Sequence, residues 1–156
     1  MKTKSWLDFE VGTLSWFAPL VDLLLRLWVA QVFFKSGLTK ISSWGSTLTL
    51  FENEYQVPIL SPEIAAYLAT GLELIIPVLL VFGLGTRLSA IILFVFNIIA
   101  VISYPDLGEV GRETHIYWGI ILLAIIAYGP QWFTLDFWIN RRRKTNFPVG
   151  GVLQRQ

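Results

Sequence analysis

Ile64–Phe82 reads IAAYLATGLELIIPVLLVF, and Glu73 is the only charged residue in it. A run of this length with a single charge matches the hydrocarbon thickness of a bilayer. A carboxylate near its middle costs about 3 kcal/mol or more unless it is paired, protonated or wetted. The stretch therefore predicts a membrane-spanning helix, and Glu73 predicts a partner or a task. Pro62 fits the first helical turn, where its missing N–H is harmless. Pro77 lies inside, four residues after Glu73, and withholds the N–H that the Glu73 carbonyl would otherwise accept.

Similar runs lie on either side. Apolar segments at 19–38, 62–83, 88–104 and 114–130 predict four spans within one domain covering residues 1–156. Mean hydropathy is +0.61 and 54% of the residues are hydrophobic, too apolar for a soluble domain of this size. The first apolar run starts near residue 17 with no small-residue cleavage site after it, so it is expected to stay in the mature protein. Residues 1–18 mix charge with Trp6, Phe9 and Trp16, the pattern of an interfacial segment. The loop at 39–61 is long and aromatic, which predicts a short amphipathic helix capping the bundle. Gly83-Leu84-Gly85-Thr86-Arg87 is a tight turn, so the second and third spans are expected to be antiparallel neighbours.

Basic residues set the orientation. Four spans put both ends on one side, with Lys2, Lys4, Arg87, Arg155 and the run Arg141-Arg142-Arg143-Lys144. The opposite side carries Lys35, Lys40 and Arg112 against Glu52, Glu54, Glu63, Asp106, Glu109 and Glu113. Both termini are therefore expected in the cytoplasm of a bacterium whose inner membrane holds the protein. The basic tail at 139–156 reads as an anchor meeting anionic lipid, with no role in nucleic-acid binding.

Asp22, Arg26, Gln31, Glu73 and Asn97 fall well inside the spans. At 1.5 Å per residue, Arg26 lies roughly 10 Å and Glu73 roughly 15 Å from the cytoplasmic edge. Asn97 shares the depth of Glu73, and Gln31 lies near it. Arg26 is expected to reach Glu73, with Asp22 one turn away as a second partner. Arg26, Gln31, Glu73 and Asn97 are thus read as one polar slab, either packing glue or a cavity for a quinone head, a proton or a small solute. A second polar cluster, Lys35, Lys40, Glu113 and His115, is placed at the outer mouth. The candidate ligand-binding set is Arg26, Gln31, Lys40, Glu73, Asn97 and His115, with Glu73 and Arg26 as the candidates for chemistry. With no cysteine and one histidine, thiolate metal sites, cysteine-ligated clusters and a protein-only zinc site are excluded.

The chain resembles the DoxX family of small four-helix membrane proteins. Leu24-Leu25-Arg26-Leu27 followed by Ser36-Gly37-Leu38-Thr39-Lys40 is similar to the family's arginine and its later His-Gly-x-x-Lys, with Ser36 in the histidine's place. Glu73 resembles the family's glutamate, although Glu73-Leu74-Ile75-Ile76-Pro77 lacks the usual glycines. Gly83-Leu84-Gly85-Thr86-Arg87 and Gly129-Pro130-Gln131-Trp132-Phe133-Thr134-Leu135-Asp136 are similar to two further family signatures. The resemblance implies association with membrane redox systems, including a thiosulfate:quinone oxidoreductase subunit. It points to a quinone-linked accessory or anchor subunit, with quinone as the candidate cofactor and redox subunits as partners. Two alternatives stand beside it: an assembly protein whose Arg26–Glu73 pair is structural, and a solute or proton transporter that works as a homo-oligomer.

Overall fold

The structure, a computed structural model, describes residues 17–146, with side chains to residue 142. The described residues form six α-helices and no strand. They are α1 (Ala18–Ser42), α2 (Trp44–Asn53), α3 (Pro62–Phe82), α4 (Thr86–Ser103), α5 (Glu109–Tyr128) and α6 (Leu135–Asn146). The interfacial segment expected at 1–18 lies almost wholly outside the described residues, as does the end of the basic tail. The first part of that tail is helical, forming the end of α6.

By length and composition α3, α4 and α5 are able to cross a membrane. α1 is longer, with 25 residues, but carries Asp22, Arg26, Lys35 and Lys40. Its charges set it apart from the other three. α5 begins five residues before the expected start at 114, which gives the shortest apolar run the length it lacked. The helix expected in the first long loop is α2, laid across the start of α3.

α1 packs on α3 and α5, and α4 packs on α3 and α5, so the four long helices enclose one core. Val29, Phe33, Ile76, Leu80, Leu93, Leu122 and Ile125 fill it. A second apolar cluster sits under α2, where Ala65, Ala66 and Ala69 keep the surface of α3 low enough for Phe51 to seat. On the outside, Leu24, Ile75, Leu88, Ile102, Ile116 and Ile120 are exposed, the surface a lipid-facing protein presents.

Helix α3 is capped by Ser61, whose hydroxyl accepts from the Ile64 N–H, and runs unbroken through Pro77. It ends at Gly83 with φ 68°, and the N–H of Leu84 reaches back to Leu79 O at 2.9 Å. This left-handed cap suits glycine. Space demands glycine as well: an added Cβ would lie 2.4 Å from Thr134 Cβ and 2.6 Å from its Cα. The turn that reverses the chain into α4 is thereby pressed against the segment leading into α6.

Asp136 locks the two together. Its Oδ1 accepts from the Gly85 N–H at 2.9 Å, and its Oδ2 accepts from the Thr86 N–H at 2.7 Å and the Thr86 hydroxyl at 2.9 Å. The Asp136 N–H in turn donates to Gly83 O. A carboxylate from α6 thus caps the start of α4, and the two short signature segments of the sequence are one contact in space.

Burial pulls the Asp136 pKa upward, but the Thr86 and Gly85 N–H groups and the Thr86 hydroxyl outweigh it, and the pKa lies below 3.8. The stability it contributes is present above that value and is lost as pH falls through the lower folded pKa. Asp136→Ala is expected to cost about 1 kcal/mol at neutral pH, the worth of a helix cap. It should also remove part of the acid sensitivity below pH 4, measured by thermal unfolding in nanodiscs across pH. An unaltered acid limb would show that Asp136 does not carry it. Gly83→Ala should lower the unfolding temperature further than Gly71→Ala, whose Cβ would meet nothing.

Candidate functional site

The expected Arg26–Glu73 pair does not form. Arg26 is completely buried, and its donors are taken elsewhere. Nε donates to Asp22 Oδ2 at 2.9 Å, Nη1 to Leu80 O at 3.3 Å and Val81 O at 3.0 Å, and Nη2 to Phe133 O at 3.3 Å. The physical reason is the end of α3. Its last carbonyls have no intrahelical donor and carry the negative end of the helix dipole. A guanidinium beside them is satisfied without reaching further, and Asp22, four residues earlier on α1, supplies the countercharge. Arg26 therefore ties α1, the end of α3 and the α5–α6 connection into one clasp, next to the Asp136 lock.

Glu73 lies seven residues before Leu80, roughly 10 Å away along α3. Its partner is Lys40, which the charge pattern had placed at the outer mouth. Nζ donates to Glu73 Oε2 at 2.7 Å, to Oε1 at 2.9 Å and to Ser36 Oγ at 3.0 Å. Both partners are largely withdrawn from solvent, the side chains 13% and 6% exposed. The segment Ser36-Gly37-Leu38-Thr39-Lys40 explains how this arises. Ser36 and Lys40 are four apart and share a helix face. Gly37 is buried between them, and a Cβ there would lie 2.9 Å from Leu74 Cγ and 3.0 Å from Glu73 Cβ. The missing side chain lets α1 come close to α3 at the level of Glu73, so that Lys40, about one turn on, meets the carboxylate.

The pair opens onto a cavity of about 160 Å³ beneath α2. Leu68, Ala69 and Leu72 of α3, Phe96 and Ile99 of α4, and Phe51 of α2 make its apolar walls. Polar groups reach it at few points: Lys40, Glu73, Tyr55 and Ser103. Tyr55 stacks on Phe51 with ring centroids 4.7 Å apart and packs against Tyr104. Burial, then the Glu73 carboxylate, raises the Tyr55 pKa above its usual 10.0, so it is a neutral phenol. A doubly charged, net neutral wall facing an otherwise greasy cavity can hold a flat apolar molecule and hydrogen-bond its polar edge.

The remaining expected residues fall in other places. Asn97 and His115 bond to each other and join α4 to α5. Asn97 Nδ2 donates to His115 O at 2.9 Å, which turns Oδ1 toward His115 Nδ1 at 2.7 Å. A carbonyl only accepts, so the amide orientation is fixed and Nδ1 carries the proton. Gln31 is exposed on the opposite face of α1, beside Pro77. Lys35 and Glu113 are exposed and do not join Lys40. The single slab is thus four separate places, and the cavity beneath α2 belongs to the Lys40–Glu73 place. Sequence reasoning missed Ser36, Tyr55 and Ser103. The i, i+4 spacing of Ser36 and Lys40 was a readable signal for the first; nothing local marked the other two.

A family model described as DoxX matches residues 21–105, and one described as "TQO small subunit DoxD" matches residues 65–150. A protein of Haemophilus influenzae carrying the name "Uncharacterized protein" is 32% identical over 76% of this chain and 83% of its own. A protein of Bacillus subtilis named "Putative oxidoreductase CatD" is 29% identical over 88% of this chain and 93% of its own. No solved structure matches.

Removing one member of a buried ion pair strands the other, at about 3–5 kcal/mol. Glu73→Leu and Lys40→Leu should each lower stability on that scale, and the double variant should lose much less than the sum of the two. Thermal unfolding of all four proteins in one nanodisc preparation tests this; additive losses would mean the pair is not coupled. Arg26→Leu combined with Glu73→Leu, by contrast, should show no rescue.

Proposed function

The chain belongs to the DoxX family, and from that premise we propose that it is a membrane redox-associated protein whose Lys40–Glu73 cavity binds the head of a quinone. In this reading it is an accessory or anchor subunit of an oxidoreductase. The observation that carries it is a buried ion pair on the wall of an apolar cavity of single-ring size. A dry engineered cavity of about 150 Å³ is known to take benzene. Whole drug-sized ligands need roughly 300–1,000 Å³. A cavity of about 160 Å³ therefore suits one ring with its tail lying outside among the apolar helices.

The residues fit such a group. The Lys40 ammonium can turn the N–H it gives Ser36 Oγ toward a carbonyl oxygen, and Glu73 keeps its charge balanced so that a neutral head is preferred over an anion. A quinone, when bound, supplies two-electron, two-proton chemistry. Lys40 and Glu73 hold protons and negative charge at the site where its oxygen would lie, and Ser36 orients Lys40. Electrons must come from a bound cofactor or another subunit, since the chain has no cysteine and one histidine. The words "oxidoreductase" and "TQO small subunit" attached to the relative and the family model support the redox reading.

The topology completes the proposal. α1 is the fourth span, because Asp22 and Arg26 are buried in protein and Lys40 is paired, which lowers the cost of those three charges in lipid. Both chain ends then face the cytoplasm of a bacterial inner membrane. The clasp around Arg26 takes the structural role, so the assembly reading applies to Arg26 and the ligand reading to Glu73.

The two roles separate experimentally. Protein purified in native-lipid nanodiscs should release a stoichiometric quinone on organic extraction, identified by mass spectrometry. Glu73→Gln should lose it while keeping its fold, and Asp136→Ala should retain it. Wild-type protein without quinone, or Glu73→Gln with an undiminished amount, would sink the proposal.

A further inference from the structure

Asp22 bonds Arg26, Glu73 bonds Lys40 and Asn97 bonds His115. Gln31 lies at comparable depth, and its side chain has no hydrogen-bond partner among the described residues. It sits in the middle of α1, 13 residues from Ala18 and 11 from Ser42. Its side chain is exposed on the outward face of that helix, among Leu20, Leu24, Leu27, Trp28 and Leu38, which are exposed as well. A shallow groove of about 400 Å³ runs beside it, between Leu27 and Phe34 of α1 and Pro77, Val78 and Phe82 of α3.

With α1 as a span, this face meets hydrocarbon. A carboxamide there carries two donors and an acceptor that lipid chains cannot satisfy. Lys35, one turn further out on the same face, has a long stem that lets its ammonium reach the headgroups. The Gln31 side chain is shorter and starts deeper, so it needs a partner at its own depth.

We propose that the α1 face around Gln31 is the contact surface for a second copy of this chain, the two Gln31 amides bonding each other across a two-fold axis along the membrane normal. A carboxamide is self-complementary: Nε2 of each copy donates to Oε1 of the other, which a two-fold contact requires. Two copies inserted with the same orientation carry the amide at one depth, so the depths match without adjustment. The flanking leucines and the groove beside Phe34 supply apolar packing, and the amides fix the register. Lys40 is nine residues further along α1, about two and a half turns, and so lies on the opposite side of the helix. The contact therefore leaves the cavity beneath α2 free. It is independent of what that cavity binds and rests only on α1 being the fourth span.

The chain has no cysteine, so a single introduced one reports a single position. Full-length Leu24→Cys in liposomes, at a low protein-to-lipid ratio, should form disulfide-linked dimers on oxidation with copper phenanthroline. Ile120→Cys, exposed on α5, should not. Energy transfer between pools fused to donor and acceptor fluorescent proteins, followed on dilution with lipid, gives the dimer dissociation constant. Gln31→Leu should raise it about eightfold, the loss of two interhelical hydrogen bonds. Gln31→Asn, which keeps a carboxamide, should fall between the two. At dilutions where the monomer prevails, Gln31→Leu should unfold at the wild-type temperature, since the amide has no partner within its own chain. An unchanged dissociation constant in Gln31→Leu would overturn the proposal, as would equal cross-linking at Leu24 and Ile120 or a wild type that is monomeric at every dilution. Cross-linking of Leu24→Cys in native membranes to a different protein, and not to itself, would assign the face to another partner and overturn it too. Labelling of Gln31→Cys by a membrane-impermeant maleimide would overturn the span assignment of α1 together with the proposal; a protected cysteine without dimers would overturn the proposal alone.

Discussion

A guanidinium with no exposed surface has to place its protons on acceptors inside the protein, and Arg26 does so at the end of α3. That position is set by the helix itself, because the last turn of α3 presents carbonyls with acceptor capacity that the capping N–H groups leave over. The clasp then draws in Asp22 from α1 and Phe133 from the α5–α6 connection. Three parts of the chain far apart in sequence become one end of the molecule. The Gly83 turn and the Asp136 cap of α4 lie in the same region and depend on the same close approach.

Because Arg26 is consumed there, Glu73 is left to Lys40. The division gives the protein two charged centres of different character. At the clasp, the acceptors are mostly backbone carbonyls, so the interaction holds helices together. At Lys40–Glu73, the acceptors are side-chain oxygens on the wall of a cavity, so the charges are available to something bound. Gly37 governs the second centre. A side chain at that position would separate α1 from α3 at the level of Glu73, and a lysine one turn on would no longer meet the carboxylate.

The short loop helix α2 matters for the same reason. Phe51 and Tyr55 form part of the wall of the cavity beside Glu73 and narrow it. The low alanine surface of α3 under α2 is what lets Phe51 seat there.

Much of this architecture was legible in residue order. Apolar runs of bilayer length, the glycines of the turn at 83–85, the prolines at helix starts and the mid-run carboxylate identify an all-helical membrane protein and single out Glu73 as a group requiring an explanation. These are local properties, carried by hydropathy, backbone conformation and the cost of burying charge. Pairing is different. Arg26 and Lys40 were both basic residues on the first helix, and residue counting placed Arg26 nearer to Glu73 in depth. Which one meets the carboxylate depends on the rotation of α1 about its axis and on the close approach at Gly37. The rotation is determined by helix-end carbonyls that no pattern of side chains reveals. The cavity is likewise a product of tertiary structure: Ser103, Tyr55 and Lys40 come from segments with no common motif, and only the packing of α1, α2 and α4 around α3 brings them to one space.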